Sequence, residues 1–160
     1  MYRIANVVKL VLIVLPSVGT VGCGGTPGKA RMEVAELGLS MELPSGWTVD
    51  RLNPRMFTRG DNIGLVLDDP LAGQSLGEHV EAASMGVLER ADVVSRTPLT
   101  ISGYDAIEAI IEYPDAGSRA IKMWIQKGDR VIEVSAVTPI EDFSKYEAPL
   151  RAAFQSIEIR

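Results

Sequence analysis

The sequence predicts an α+β fold, an antiparallel β-sheet with helices packed on it. Three observations lead there. Apolar residues alternate with period 2 through most of the chain from Ala30 onward. Four successive strand-like segments, 93–101, 104–113, 119–127 and 130–138, are separated only by short turns. The helical period occurs in two places, over 75–90 and 142–155. With 160 residues, the chain has room for one domain of this kind, and its 46% hydrophobic and 23% charged content is ordinary globular usage.

The first strand pattern sets Leu37, Leu39, Met41 and Leu43 against Gly38, Ser40 and Glu42, and Pro44-Ser45-Gly46 ends it with turn chemistry. An extended stretch resumes at Trp47-Thr48-Val49. Asn53-Pro54 and Gly60-Asp61 then bracket a short strand at Met56-Phe57-Thr58. Residues 63–67 form a stronger strand, which Asp68-Asp69-Pro70 is expected to close. Over 75–90, Leu76, Val80, Ala83 and Val87 make one apolar stripe, and Ser75 with Glu78 three residues on has the form of a capping box. Gly77, Ala82, Ser84 and Gly86 are small enough to let this helix approach a sheet closely.

In the second half, Gly128-Asp129 fits a two-residue hairpin loop. That register sets Ile125 opposite Ile132, Met123 opposite Val134 and Ile121 opposite Ala136, all apolar, so a slip by one residue would ruin it. Carried across 114–118, the same logic pairs Ile111 with Ile121. The last helix turns Phe143, Leu150, Ala153 and Phe154 toward the core. Pro149 removes a donor and crowds the preceding turn, so a kink or a second helical segment is expected there. Ile157-Glu158-Ile159 ends as a short strand.

The N-terminus has the pattern of an address. Arg3 and Lys9 precede the apolar run 10–15, which stops at Pro16, too short for the roughly 20 apolar residues that span a bilayer. The single Cys follows in Thr20-Val21-Gly22-Cys23-Gly24-Gly25. This stretch resembles the lipobox of bacterial lipoproteins, in which the Cys takes a diacylglyceryl group and becomes the new N-terminus. Thr20 departs from the branched aliphatic residue usual at its position. The expected organisation is a signal peptide over 1–22, a lipidated Cys and flexible tether over 23–35, and a folded domain over 36–160. Acyl chains at Cys23 would hold the domain to a membrane without spanning it, since each buried methylene contributes ~0.8 kcal/mol. Gly24 in place of Asp lacks what resembles an inner-membrane retention signal, so in a cell with two membranes the outer one is expected.

Charge excludes other classes. A net charge of −5 argues against a nucleic-acid partner, and loss of the two cations in 1–22 makes the mature chain more acidic. Such a body is expected to stand off an anionic membrane surface. One Cys supplies neither a disulfide nor a Cys-rich zinc site.

Four segments in order carry a further resemblance: Leu43-Pro44-Ser45-Gly46-Trp47, the helix start Ser75-Leu76, Ile101-Ser102-Gly103-Tyr104-Asp105-Ala106, and Phe154-Gln155-Ser156-Ile157-Glu158-Ile159. Together they resemble the PsbP-like superfamily, which includes small bacterial lipoproteins such as the DcrB-like ones. The resemblance covers about residues 36–159. It implies an α/β/α sandwich and a non-catalytic accessory or binding role, and it brings no catalytic set or cofactor to carry over.

The residues themselves point the same way. His79 is the only His, and no Gly-x-Ser-x-Gly elbow or second thiol accompanies it, so it reads as a helix-surface residue. Asp61, Asp68 and Asp69 lack the spacing of a calcium loop and read as turn acids. In the extended register Trp124 faces away from the apolar pairs, with Glu108 and Glu133 across from it. There it could grip a cationic or sugar-like ligand, or become core if a second layer covers that face, as the resemblance implies. Arg51, Arg55 and Arg59 are the densest basic cluster, able to dock an anionic partner or phosphate headgroup, or simply a solvated loop. The expectation is a lipid-anchored, non-catalytic envelope protein without cofactor or metal that binds an envelope protein partner. A small-ligand-binding lipoprotein is the alternative.

Overall fold

The computed structural model describes residues 30–85 and 91–160. The expected signal peptide, Cys23 and residues 86–90 of the first expected helix lie outside these. The described chain begins with β1 (Arg31–Val34), a 3-10 turn (Ala35–Leu37) and β2 (Leu39–Glu42). Met32 and Val34 of β1 are fully buried, so the fold reaches back into the stretch read as tether, at least as far as Arg31. The reason is pairing: Met32 and Val34 lie opposite Met41 and Leu39 of β2. Leu37, expected inside one continuous strand, instead sits in the 3-10 turn that Gly38 ends.

β3 (Thr48–Val49), β4 (Met56–Arg59) and β5 (Asn62–Pro70) follow, then α1 (Leu76–Met85). Asp68, Asp69 and Pro70 continue β5 where a closing turn was expected, because Arg130, Val131 and Ile132 of the neighbouring strand pair with them. The capping box forms: Glu78 Oε2 accepts from the Ser75 N–H at 2.8 Å, and the Glu78 N–H donates to Ser75 Oγ at 3.3 Å.

The second half is a meander of β6 (Asp92–Ile101), β7 (Tyr104–Tyr113), β8 (Ser118–Lys127) and β9 (Arg130–Pro139), followed by α2 (Phe143–Gln155) and β10 (Glu158–Ile159). The β8–β9 hairpin has the expected register, and Gly128 at its loop takes φ +65°, a conformation that favours glycine. α2 runs as one helix with Pro149 inside it, not as two segments.

Seven strands form one antiparallel sheet in the order β3-β4-β5-β9-β8-β7-β6, and β1-β2-β10 form a second, smaller sheet. One face of the large sheet packs against α2 and the small sheet. Its core includes Phe57, Val66, Ile121, Met123, Ile125, Val134, Phe143, Leu150 and Phe154. On the other face, α1 lays Leu76 and Val80 over Ala109, Ile111, Trp124 and Val131. Helices therefore cover both sides, the α+β layering read from the sequence.

The β7–β8 register differs from expectation by one residue. A 3-10 turn at Pro114–Ala116 with Gly117 in the left-handed region makes Tyr113 pair with Ser118, so Ile110 lies opposite Ile121 and Ile111 opposite Ala120. Because side chains alternate, that single step moves every β7 side chain to the other face.

Candidate functional site

The register step separates the residues expected to surround Trp124. Trp124 pairs with Ile107, and Glu108 pairs with Met123 on the opposite face of the sheet. Glu133 does lie beside Trp124, as expected from the hairpin. The indole Nε1 donates to Glu133 Oε2 at 2.8 Å, and Lys122 Nζ donates to Glu133 Oε1 at 2.8 Å, with the ammonium 5.5 Å from the Trp124 ring centroid. Trp124 is completely buried under α1. It is a core residue, and a ligand-gripping Trp on an open face is ruled out by the helix that covers it. A buried carboxylate with both oxygens occupied is a satisfied ion pair, the arrangement burial requires.

Glu108 is buried against α2, where it forms an ion pair with Arg151; Arg151 also donates to Glu147 one turn away at 3.1 Å. This pins the helix to β7. The expected link of five residues, 114–118, is one residue longer than the four, 114–117, that join the strands.

The arginine cluster is dispersed by the strand it brackets. Arg55 donates to Glu36 Oε1 at 2.8 Å, tying the β3–β4 loop to the 3-10 turn. The Glu36 carboxyl is held below its usual range, chiefly by a hydrogen bond to its own backbone N–H and then by Arg55. At the other end of β4, Arg59 donates to the Ser45 carbonyl at 2.8 Å and lies 5.3 Å from the centre of the Tyr146 ring. Arg51 is exposed on the loop next to Leu52, which is 96% exposed. The three do not converge on one site.

The acids diverge too. Asp68 takes a two-pronged contact from Arg130 at 2.7 and 2.8 Å, which raises the guanidinium pKa further. Asp69 faces the other side of β5, and Asp61 lies at the far end of the strand in the β4–β5 turn. Among the described residues no three His, Cys, Asp or Glu side chains are grouped to hold a metal ion. His79 is half-buried on α1.

What remains as a candidate site is a groove the sequence reading did not single out. It is an open cleft of about 220 Å³ between α2 and the segment after β2, walled by Leu43, Pro44, Pro149, Ala152 and Ala153 and bounded by Glu42 and Ser45. Pro44 and Pro149 had been legible only as a turn and a helix irregularity. In the core, Trp47 lies 5.5 Å from Phe57 and 6.2 Å from Tyr146 by ring centroids.

No protein-family model matches the sequence, and no curated protein does. Solved structures do. LpqN of Mycobacterium tuberculosis, described as involved in cell envelope biogenesis, superposes with a TM-score of 0.59 at 9% identity, covering 84% of this chain and 86% of its own. The cyanobacterial PsbP, CyanoP, of Synechocystis gives 0.57 at 15% identity, covering 89% of this chain and 98% of its own. PA94 of Pseudomonas aeruginosa, a protein of unknown function, gives 0.55 at 15% identity over 82% and 97%. At these identities the likeness is one of fold, and that fold is the one the sequence resemblance implies. The chain has a PsbP-like fold.

Proposed function

We propose that the protein is a lipid-anchored, non-catalytic accessory protein of the cell envelope, held to a membrane through Cys23 and acting through a protein partner. One observation carries this reading. The only thiol in the chain follows a short, cation-led apolar run and stands seven residues before Ala30, where the described fold begins. A lipobox needs a Cys at that place, and a membrane tether needs a short link to a folded body. Among the described residues no helix is long and apolar enough to cross a membrane. The fold shared with LpqN, whose description places it in cell envelope biogenesis, supports the same setting. The carboxylates and cations at the centre of the sheet and under α2 are consumed by structural ion pairs, which supports a non-catalytic role.

Cys23→Ser tests the anchor. The variant is expected to leave the membrane fraction or to accumulate unprocessed, and mass spectrometry of the native protein is expected to show an acylated Cys23. A native chain that carries no acyl mass would end the proposal. Crosslinking in intact cells followed by gentle solubilisation tests the partner. One dominant envelope protein is expected, and recovery of the protein alone would turn the search to small ligands.

A further inference from the structure

The first described residue, Ala30, lies beside the apolar groove. The Leu43 N–H donates to the Ala30 carbonyl at 2.7 Å, so the first described residue lies against a groove wall. Six residues, 24–29, lie between Cys23 and Ala30, which makes seven steps along the chain. Fully extended they reach ~25 Å. A lipid on Cys23 would keep this side of the domain within ~25 Å of the bilayer.

The end of the groove at Ser45 is basic. Arg59 donates to the Ser45 carbonyl, and both the Arg59 guanidinium and Lys145 Nζ lie over the Tyr146 ring, at 5.3 and 5.1 Å from its centroid. Both cations are exposed, and among the described residues neither forms an ion pair, although Asp61 and Glu141 are close in sequence. The ring and the carbonyl fix their positions without neutralising them. Glu42, whose backbone N–H bonds Ser156 Oγ, marks the opposite end.

We propose that this groove and its cation pair form the membrane-docking face of the domain, with Arg59 and Lys145 on the phosphates of anionic phospholipid headgroups and Pro44, Pro149 and Ala152 against the interfacial layer. The inference rests on the Cys23 anchor. It also revises the expectation that an acidic body stands off the surface. At physiological salt charges act over ~8 Å, so the cations at the contact outweigh a net charge spread over the rest of the molecule.

The test uses the full-length lipidated protein reconstituted into phosphatidylcholine vesicles with or without phosphatidylglycerol, with a headgroup-nitroxide lipid as quencher. A fluorophore is placed on Ala152→Cys in the groove or on Leu52→Cys. The loop of Leu52 meets the opposite end of the β1–β2 hairpin through the Arg55–Glu36 bond. Stronger quenching at 152 than at 52 is expected in phosphatidylglycerol vesicles. The docked population is expected to fall about fivefold for each of Arg59→Gln and Lys145→Gln. Equal quenching at both positions, stronger quenching at 52, or no response to the two substitutions would overturn the docking face while flotation with the vesicles left the anchor standing. A chain that neither floats nor carries acyl mass on Cys23 would overturn the anchor and the docking together.

Discussion

The two faces of the seven-stranded sheet are made by the same strands and solved differently. Toward α2 the face is an apolar layer interrupted by the Glu108–Arg151 ion pair, and in it Phe57 lies against Gly64 on the next strand. A Cβ added at Gly64 would come within 2.1 Å of the Phe57 ring. Toward α1 the β7–β8 side and Val131 of β9 are sealed, the centre holds the Lys122–Glu133–Trp124 cluster, and Ile63 and Leu67 of β5 remain 45% and 42% exposed. Alternation along β5 puts Val66 in the main core and its neighbour Leu67 half in water. Burial is thus decided by what the chain lays over a strand, not by the strand's own hydrophobicity.

The largest test of that contrast is Phe57→Ala. Loss of a fully buried ring from the α2 face is expected to cost about 3–5 kcal/mol in urea unfolding. A loss under 1 kcal/mol would show that this face is not the main core. Next comes Arg151→Met, which strands the buried Glu108 carboxylate. About 2–3 kcal/mol is expected, below the fully buried case because Arg151 keeps 32% of its side chain exposed. Glu108→Leu in the same chain should recover most of it, and a double variant as unstable as Arg151→Met alone would contradict the ion-pair account.

On the α1 face Trp124→Phe leaves one Glu133 oxygen without its indole donor and is expected to cost about 1–3 kcal/mol, with the loss of near-ultraviolet dichroism confined to one Trp. Ser75→Ala removes the N-cap hydroxyl of α1 at about 1 kcal/mol. Its partner Glu78 has a lowered pKa, caused first by the Ser75 backbone N–H and then by the hydroxyl. A lowered folded-state pKa gives stability that is present above the ordinary value of 4.5 and lost as pH falls through the folded one. The gap in Tm between the wild type and Glu78→Ala should therefore close on acidification, and a gap constant from pH 7 to pH 3 would refute the capping role. The smallest effect is expected from Leu67→Ala, within about 0.5 kcal/mol, since that side chain is already half in solvent.

Strands were legible wherever neighbours in sequence are neighbours in space. The Gly128-Asp129 loop alone sets the β8–β9 register, and Ser75 with Glu78 announces the start of α1. Met32 and Val34 were missed because two apolar residues among charges carry little periodic signal, and β1 is a strand only through its pairing with β2. Glu108 was placed on the wrong face by a one-residue error in the turn at 114–117, where a 3-10 turn and a simple loop look alike in sequence. The groove beside α2 had no sequence signal, since Leu43, Pro44, Pro149 and Ala152 come from segments about a hundred residues apart.

The sequence by itself determined the layer type, the order of the meander and the cap of α1, because each depends on local alternation, turn chemistry or spacing. Only the tertiary structure decided that Trp124 is core, that Glu108 belongs to α2, that the arginine cluster is dispersed, and that Arg59 and Lys145 share one aromatic ring. Those outcomes depend on which element covers which face, and that is set by contacts between distant parts of the chain.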